Sequence, residues 1–108
     1  MPRKLVSAVL ADEPDIYDLV EEFVDGLTSR IDEFQQAYQQ LDWDRLTVLA
    51  HQLKGAGGSY GYPDLSALAA AMESCFRNHS AEQFSAWMEQ LVCLSAAARA
   101  GLQDSQPS

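Results

Sequence analysis

Basic residues are scarce in this chain: seven lysines and arginines stand against sixteen aspartates and glutamates, for a formal charge of −9. Nucleic-acid binding needs a basic patch facing the phosphates, so that class of function is excluded. Cysteine is equally scarce. Cys75 and Cys93 stand at helix-like positions, outside any CxxC or other metal spacing, which argues against a disulfide scaffold or a zinc site and fits a reducing, cytoplasmic compartment. No apolar run approaches the roughly 20 residues of a membrane span. Arg3 and Lys4 before Leu5 to Ala11 imitate the start of a secretory signal, but that run is short and contains Ser7. Alternating strand patterns, internal repeats and low-complexity segments are also missing. The expectation is one cytoplasmic domain over residues 1–108, with its core over about 12–102 and a frayed tail from Gln103 to Ser108.

What is present is helical periodicity. Ile16, Leu19, Val20, Phe23, Val24, Leu27, Ile31, Phe34 and Tyr38 follow three-and-four spacing, predicting one long amphipathic helix from Asp12 to Gln40, with Pro14 in its first turn and a slight bend at Gly26. Asp42 offers an N-cap for a second helix with Leu46, Leu49, Ala50 and Leu53 inward, and the short linker at Leu41 makes the two helices antiparallel neighbours. Tyr62 and Pro63 open a third helix burying Leu65, Leu68, Ala69, Met72 and Phe76, which ends near Asn78 and His79. Ser80 and Gln83 read as a capping box for a fourth, carrying Phe84, Trp87, Met88, Leu91, Leu94, Ala98 and Leu102. The fold expected is all-α, an antiparallel up-and-down four-helix bundle, with residues 1–11 as a short extra segment over one end. The acidic residues cluster on the first helix, from Asp12 to Glu33, relieved only by Arg30. That face is read either as solvation or as selection of partners with a basic rim.

One stretch departs from this pattern. Ala50 to Tyr62 reads AHQLKGAGGSYGY, with glycines at 55, 57, 58 and 61. Each costs about 1 kcal/mol against alanine inside a helix. A nucleotide-binding loop would need a preceding strand and a GK[ST] ending, and neither is here. The inward stripe continues from Leu53 to Gly57, so the helix can run through its glycines. With Leu46 at zero, His51 falls at roughly 140°, facing solvent, with Gly55 and Gly58 on the same side. Helical side chains lean toward the N-terminus, so residues at these two positions would cover His51 if they were larger. Their absence leaves the imidazole open to another protein, and Lys54 beside it can reach an anion on the ring. His79 sits at a helix end, where a histidine serves the dipole or solvent. Trp43, Trp87 and the phenylalanines read as core.

His51, Leu53, Lys54, Gly55, Gly58 and Gly61 resemble the HxLKGxxxxxG signature of the histidine phosphotransfer (HPt) family. The resemblance implies that His51 is the phosphoacceptor through Nε2, that Lys54 offsets phosphoryl charge, and that Gly58 keeps room for a docking receiver domain. Glu73 occupies a place where the family often has Gln or Glu; accepting a hydrogen bond from Nδ1, it would fix the tautomer that leaves the Nε2 lone pair free. A solvated glutamate at a stripe edge is the other reading of Glu73. The docking face implied comprises Asp44, Thr47, Val48, Gly55 and Gly58 around His51. The expected partners are receiver domains of response regulators and of a hybrid histidine kinase, with Mg²⁺ and its carboxylate ligands on the receiver and no metal or cofactor on this chain. The chain would be a monomeric phosphocarrier without kinase activity. A helical adaptor binding a receiver or kinase without carrying phosphate is the competing reading.

Overall fold

The computed structural model describes residues 4–105, and the description is confined to them; residues 1–3 and 106–108, on which part of the expectations for both termini falls, lie outside it. Among the described residues there are helices and turns but no strand. A short helix α1 (Ala8–Asp12) and a 3-10 turn (Pro14–Ile16) lead into α2 (Tyr17–Asp25) and α3 (Leu27–Gln39). These are followed by α4 (Trp43–Ser59), α5 (Pro63–Arg77) and α6 (Phe84–Ser105). With α2 and α3 counted as the two halves of one arm, this is the expected four-helix bundle.

The first arm is more broken than its periodicity suggested. Pro14 disfavours helical backbone in the residue before it, and Glu13 is correspondingly non-helical at φ −133°, ψ 76°, which separates α1 from the 3-10 turn. At Gly26 the backbone stays right-handed (φ −77°, ψ −9°), and its N–H is shared between the carbonyls of Glu22 and Phe23. The ladder thus tightens for one residue and resumes. Leu19, expected in the inward stripe, is 52% exposed because it lies one residue, about 100°, away from the buried Val20. Tyr38 is also partly exposed, but its ring stacks on Phe84 at 3.9 Å.

The Asp42 side chain accepts from the Arg45 N–H and caps α4 as expected. Leu41, at φ 50°, makes the turn before it. The helix runs through Gly55, Gly57 and Gly58 to Ser59, and Leu46, Leu49, Ala50, Leu53 and Gly57 are buried. At α6 the expectation fails in detail: the helix begins at Phe84, not just after Ser80, whose N–H instead donates to the Cys75 carbonyl in the α5 C-terminal turn. It also continues to Ser105, past the expected start of fraying at Gln103. The core is continuous from Leu10 to Leu102.

Residues 5–12 cover one end of the bundle. Leu5 N–H donates to the Ala97 carbonyl and Ala8 N–H to that of Gly61, while the buried Ser7 hydroxyl donates to the Tyr60 carbonyl and accepts from Leu10 N–H. Gly61 is what admits this strap. Its φ is +81°, and a Cβ there would stand 2.5 Å from the Val9 nitrogen and 2.7 Å from the Ser7 hydroxyl. Gly61→Ala is therefore expected to lower stability by about 2 kcal/mol or more in urea unfolding. Gly55→Ala, whose Cβ meets nothing within 4 Å, is expected to raise it by about 0.5–1 kcal/mol. An unchanged midpoint for the first would show that the strap does not constrain Gly61.

Candidate functional site

The site is set by how closely α4 and α5 approach. Gly57 makes the approach possible: a Cβ there would come within 3.0 Å of the Ser66 nitrogen and 3.3 Å of Leu65 Cβ. Ser66 then donates from Oγ to the Lys54 carbonyl at 2.9 Å, tying the two helices at that level. Two turns along α5 from Ser66, Glu73 points back at α4. It lies among the core residues Ala69, Met72 and Phe76, and only 3% of it is exposed.

A carboxylate so buried needs hydrogen-bonded or charged partners. Three surround this one. Lys54 Nζ donates to Oε1 at 2.7 Å, Arg77 Nη2 donates to Oε2 at 2.9 Å, and His51 Nδ1 stands 2.9 Å from the same Oε2. The Lys54 bond is the main influence holding the Glu73 pKa below its ordinary value; burial pushes the other way, and His51 and Arg77 add to the lowering. Glu73 is thus a carboxylate near neutral pH and can only accept, so the hydrogen in the His51 contact belongs to Nδ1. With Nδ1–H turned to Glu73, it is Nε2 that faces outward, and in the neutral ring Nε2 holds the free lone pair, on a side chain that is 65% exposed.

Asp44, Thr47, Val48, Gly55 and Gly58 lie seven, four and three residues before and four and seven after His51, and so share its face of α4. Asp44, Gly55 and Gly58 are exposed, Val48 is 46% exposed, and Thr47 is half-buried with its hydroxyl donating to the Trp43 carbonyl at 2.8 Å. A Cβ on Gly55 would meet open space and one on Gly58 only Ser66 Oγ at 3.7 Å, so neither glycine is required by packing. On the C-terminal side of the imidazole, at Gly55 and Gly58, this face is bare backbone.

Arg77 was not singled out from sequence, although its position four residues after Glu73 on one helix is a usable signal. Ser66 carried none. His79 is remote from this cluster: it takes φ 55° after α5, and its ring stacks on Trp43 with centroids 5.2 Å apart. Trp43 is consequently half-buried, whereas Trp87 packs edge-on against Phe76 in the core. On the acidic face, Asp25 pairs with Arg99 and Glu33 with Arg45. Among the described residues no three His, Cys, Asp or Glu side chains converge on a possible metal position, and no helix is long and apolar enough to cross a membrane.

The family model described as Hpt domain matches residues 18–104, most of the chain. No curated protein and no solved structure matches it.

The depressed Glu73 pKa has a consequence for stability. Because the folded value lies below the unfolded one, Glu73 contributes stability above its ordinary pKa of 4.5, and that contribution is lost as pH falls through the lower folded value. Urea midpoints measured from pH 7 to pH 3 should fall at the acid end for the wild type and fall less for Glu73→Gln. Parallel curves would mean that the carboxylate is not held ionised in the folded state.

Proposed function

The chain belongs to the Hpt domain family, and from that premise we propose that His51 is its phosphoacceptor, taking a phosphoryl group from a receiver-domain aspartate and passing it to another receiver. Hpt domains are phosphocarriers of two-component phosphorelays, not kinases, and work with receiver domains. The observation that carries the assignment to His51 is the 2.9 Å contact between Nδ1 and a buried carboxylate, which engages Nδ1 and turns Nε2 to the surface.

In the transfer, the Nε2 lone pair attacks phosphorus as the bond from phosphorus to the aspartyl oxygen breaks, and the receiver's carboxylate leaves with that electron pair. Nδ1 keeps its proton, so the phosphorylated ring carries a positive charge, which Glu73 opposes while still accepting the Nδ1–H bond. Lys54, on a flexible stem that is 38% exposed, turns its ammonium from Oε1 toward the phosphoryl oxygens. In-line approach depends on positioning, and a receiver would dock over Asp44, Thr47, Val48, Gly55 and Gly58. The receiver supplies Mg²⁺ and the carboxylates that hold it. The working state we propose is a monomer in the cytoplasm, with one receiver belonging to a hybrid histidine kinase and another to a response regulator.

The test is to mix the protein with a receiver domain phosphorylated in the presence of Mg²⁺ and follow acid-labile label. Label should pass to the wild type and not to His51→Gln; labelling of both alike would reject His51, and none on the wild type would favour an adaptor. Gly58→Leu should stay folded yet slow transfer by roughly tenfold or more, since a docking penalty of about 1.4 kcal/mol already corresponds to tenfold.

A further inference from the structure

Glu73 has one more cationic partner than the reaction consumes. Lys54 and Arg77 approach its two oxygens separately, Lys54 on Oε1 and Arg77 on Oε2, and His51 shares Oε2 with Arg77. If Lys54 leaves for the phosphoryl group, Oε1 loses its donor at the moment when the imidazole most needs an ionised, fixed acceptor. Arg77 would remain. We propose that Arg77 is a positioning residue of the transfer site, which anchors Glu73 through Oε2 so that Lys54 can be released to the phosphoryl group without loss of the imidazole's orientation. The inference rests on His51 being the acceptor.

The charges of the cluster favour the same role for Arg77. Before transfer the cluster holds one carboxylate, two cations and a neutral ring, and so carries one net positive charge. The phosphoryl group brings two negative charges and the ring gains one positive, leaving the loaded cluster neutral. Without Arg77 it would start neutral and end with one net negative charge beside a buried carboxylate. Arg77 thus favours loading, but only modestly, because its side chain is 65% exposed and the ion pair is screened by solvent. It acts through Glu73 and touches neither phosphorus nor Nε2, so its signature is the state of the ring.

The imidazole tautomer, read from ¹⁵N chemical shifts of His51 without any partner, tests this separately from transfer. Lys54→Ala mimics the departed lysine; it should keep the Nδ1–H form, whereas Lys54→Ala/Arg77→Ala should shift the ring toward the Nε2–H form that predominates for a neutral histidine side chain free in water. Arg77→Ala alone should slow loading from a phosphorylated receiver by about two- to fivefold, with Arg77→Lys restoring most of it. Exposed on the last turn of α5, Arg77 can be replaced without unfolding the bundle, which far-ultraviolet circular dichroism checks. An unchanged tautomer in the double variant would overturn the positioning role, and so would slowed loading that Arg77→Lys does not restore, which would mark a contact with the receiver instead. Failure of the wild type to load, with the tautomer behaving as described, would strike at the carrier reading and not at the anchoring of Glu73.

Discussion

The carboxylate of Glu73 is buried against the core and yet held ionised, and the candidate functional face of the molecule is arranged around it. An unpaired charge at such depth would be strongly unfavourable, so each of its oxygens must be matched by a donor. The donors come from two helices: Lys54 and His51 from α4, Arg77 from α5. Their convergence requires α4 and α5 to run close together, which in turn requires the missing side chain at Gly57 and is secured by Ser66 on the Lys54 carbonyl. A packing constraint in the bundle interior is thereby converted into the protonation pattern of a ring at its surface. The imidazole itself does little to hold this in place; it is the most exposed member of the cluster together with Arg77.

The glycines of α4 divide the labour. Gly57 faces inward and sets the distance between helices, whereas Gly55 and Gly58 face outward and are free of packing demands. Two unforced glycines within a helix lower its stability by an amount that nothing in the packing recovers. In the proposed transfer they gain their meaning from the partner, whose backbone can approach the histidine where no side chain stands. Gly61 belongs to a third category, the end of the bundle, where its left-handed conformation accepts the strap formed by residues 5–12.

Much of this was legible in the sequence because it depends on periodicity. The inward stripe Leu46, Leu49, Ala50, Leu53 and Gly57 determines the phase of α4, and the phase determines that His51 points outward with Gly55 and Gly58 beside it. The breaks were harder to read. The bend at Gly26 was marked by its glycine, but periodicity carries across Glu13 because the apolar spacing does not register a local change of backbone angle, and the stripe alone overstated the burial of Leu19. Ser80 and Gln83 have the spacing of a capping box, but the α5 C-terminal turn takes the Ser80 N–H and delays α6 to Phe84. Contacts between helices lay furthest from view. Nothing within α5 says that the oxygens of Glu73 meet α4, and without that meeting Arg77 is an ordinary surface ion pair of its own helix.

In the proposed transfer, Nδ1 of His51 donates to the Glu73 carboxylate, and Nε2 is the nitrogen left to form the bond to phosphorus. The direct measurement is ³¹P–¹⁵N correlation spectroscopy on the ring-labelled protein after loading from a phosphorylated receiver. Coupling of phosphorus to Nε2, with Nδ1 still protonated, is the result expected. Phosphorus bound to Nδ1 would contradict the account, because that atom could become the nucleophile only after abandoning the carboxylate around which the site is built.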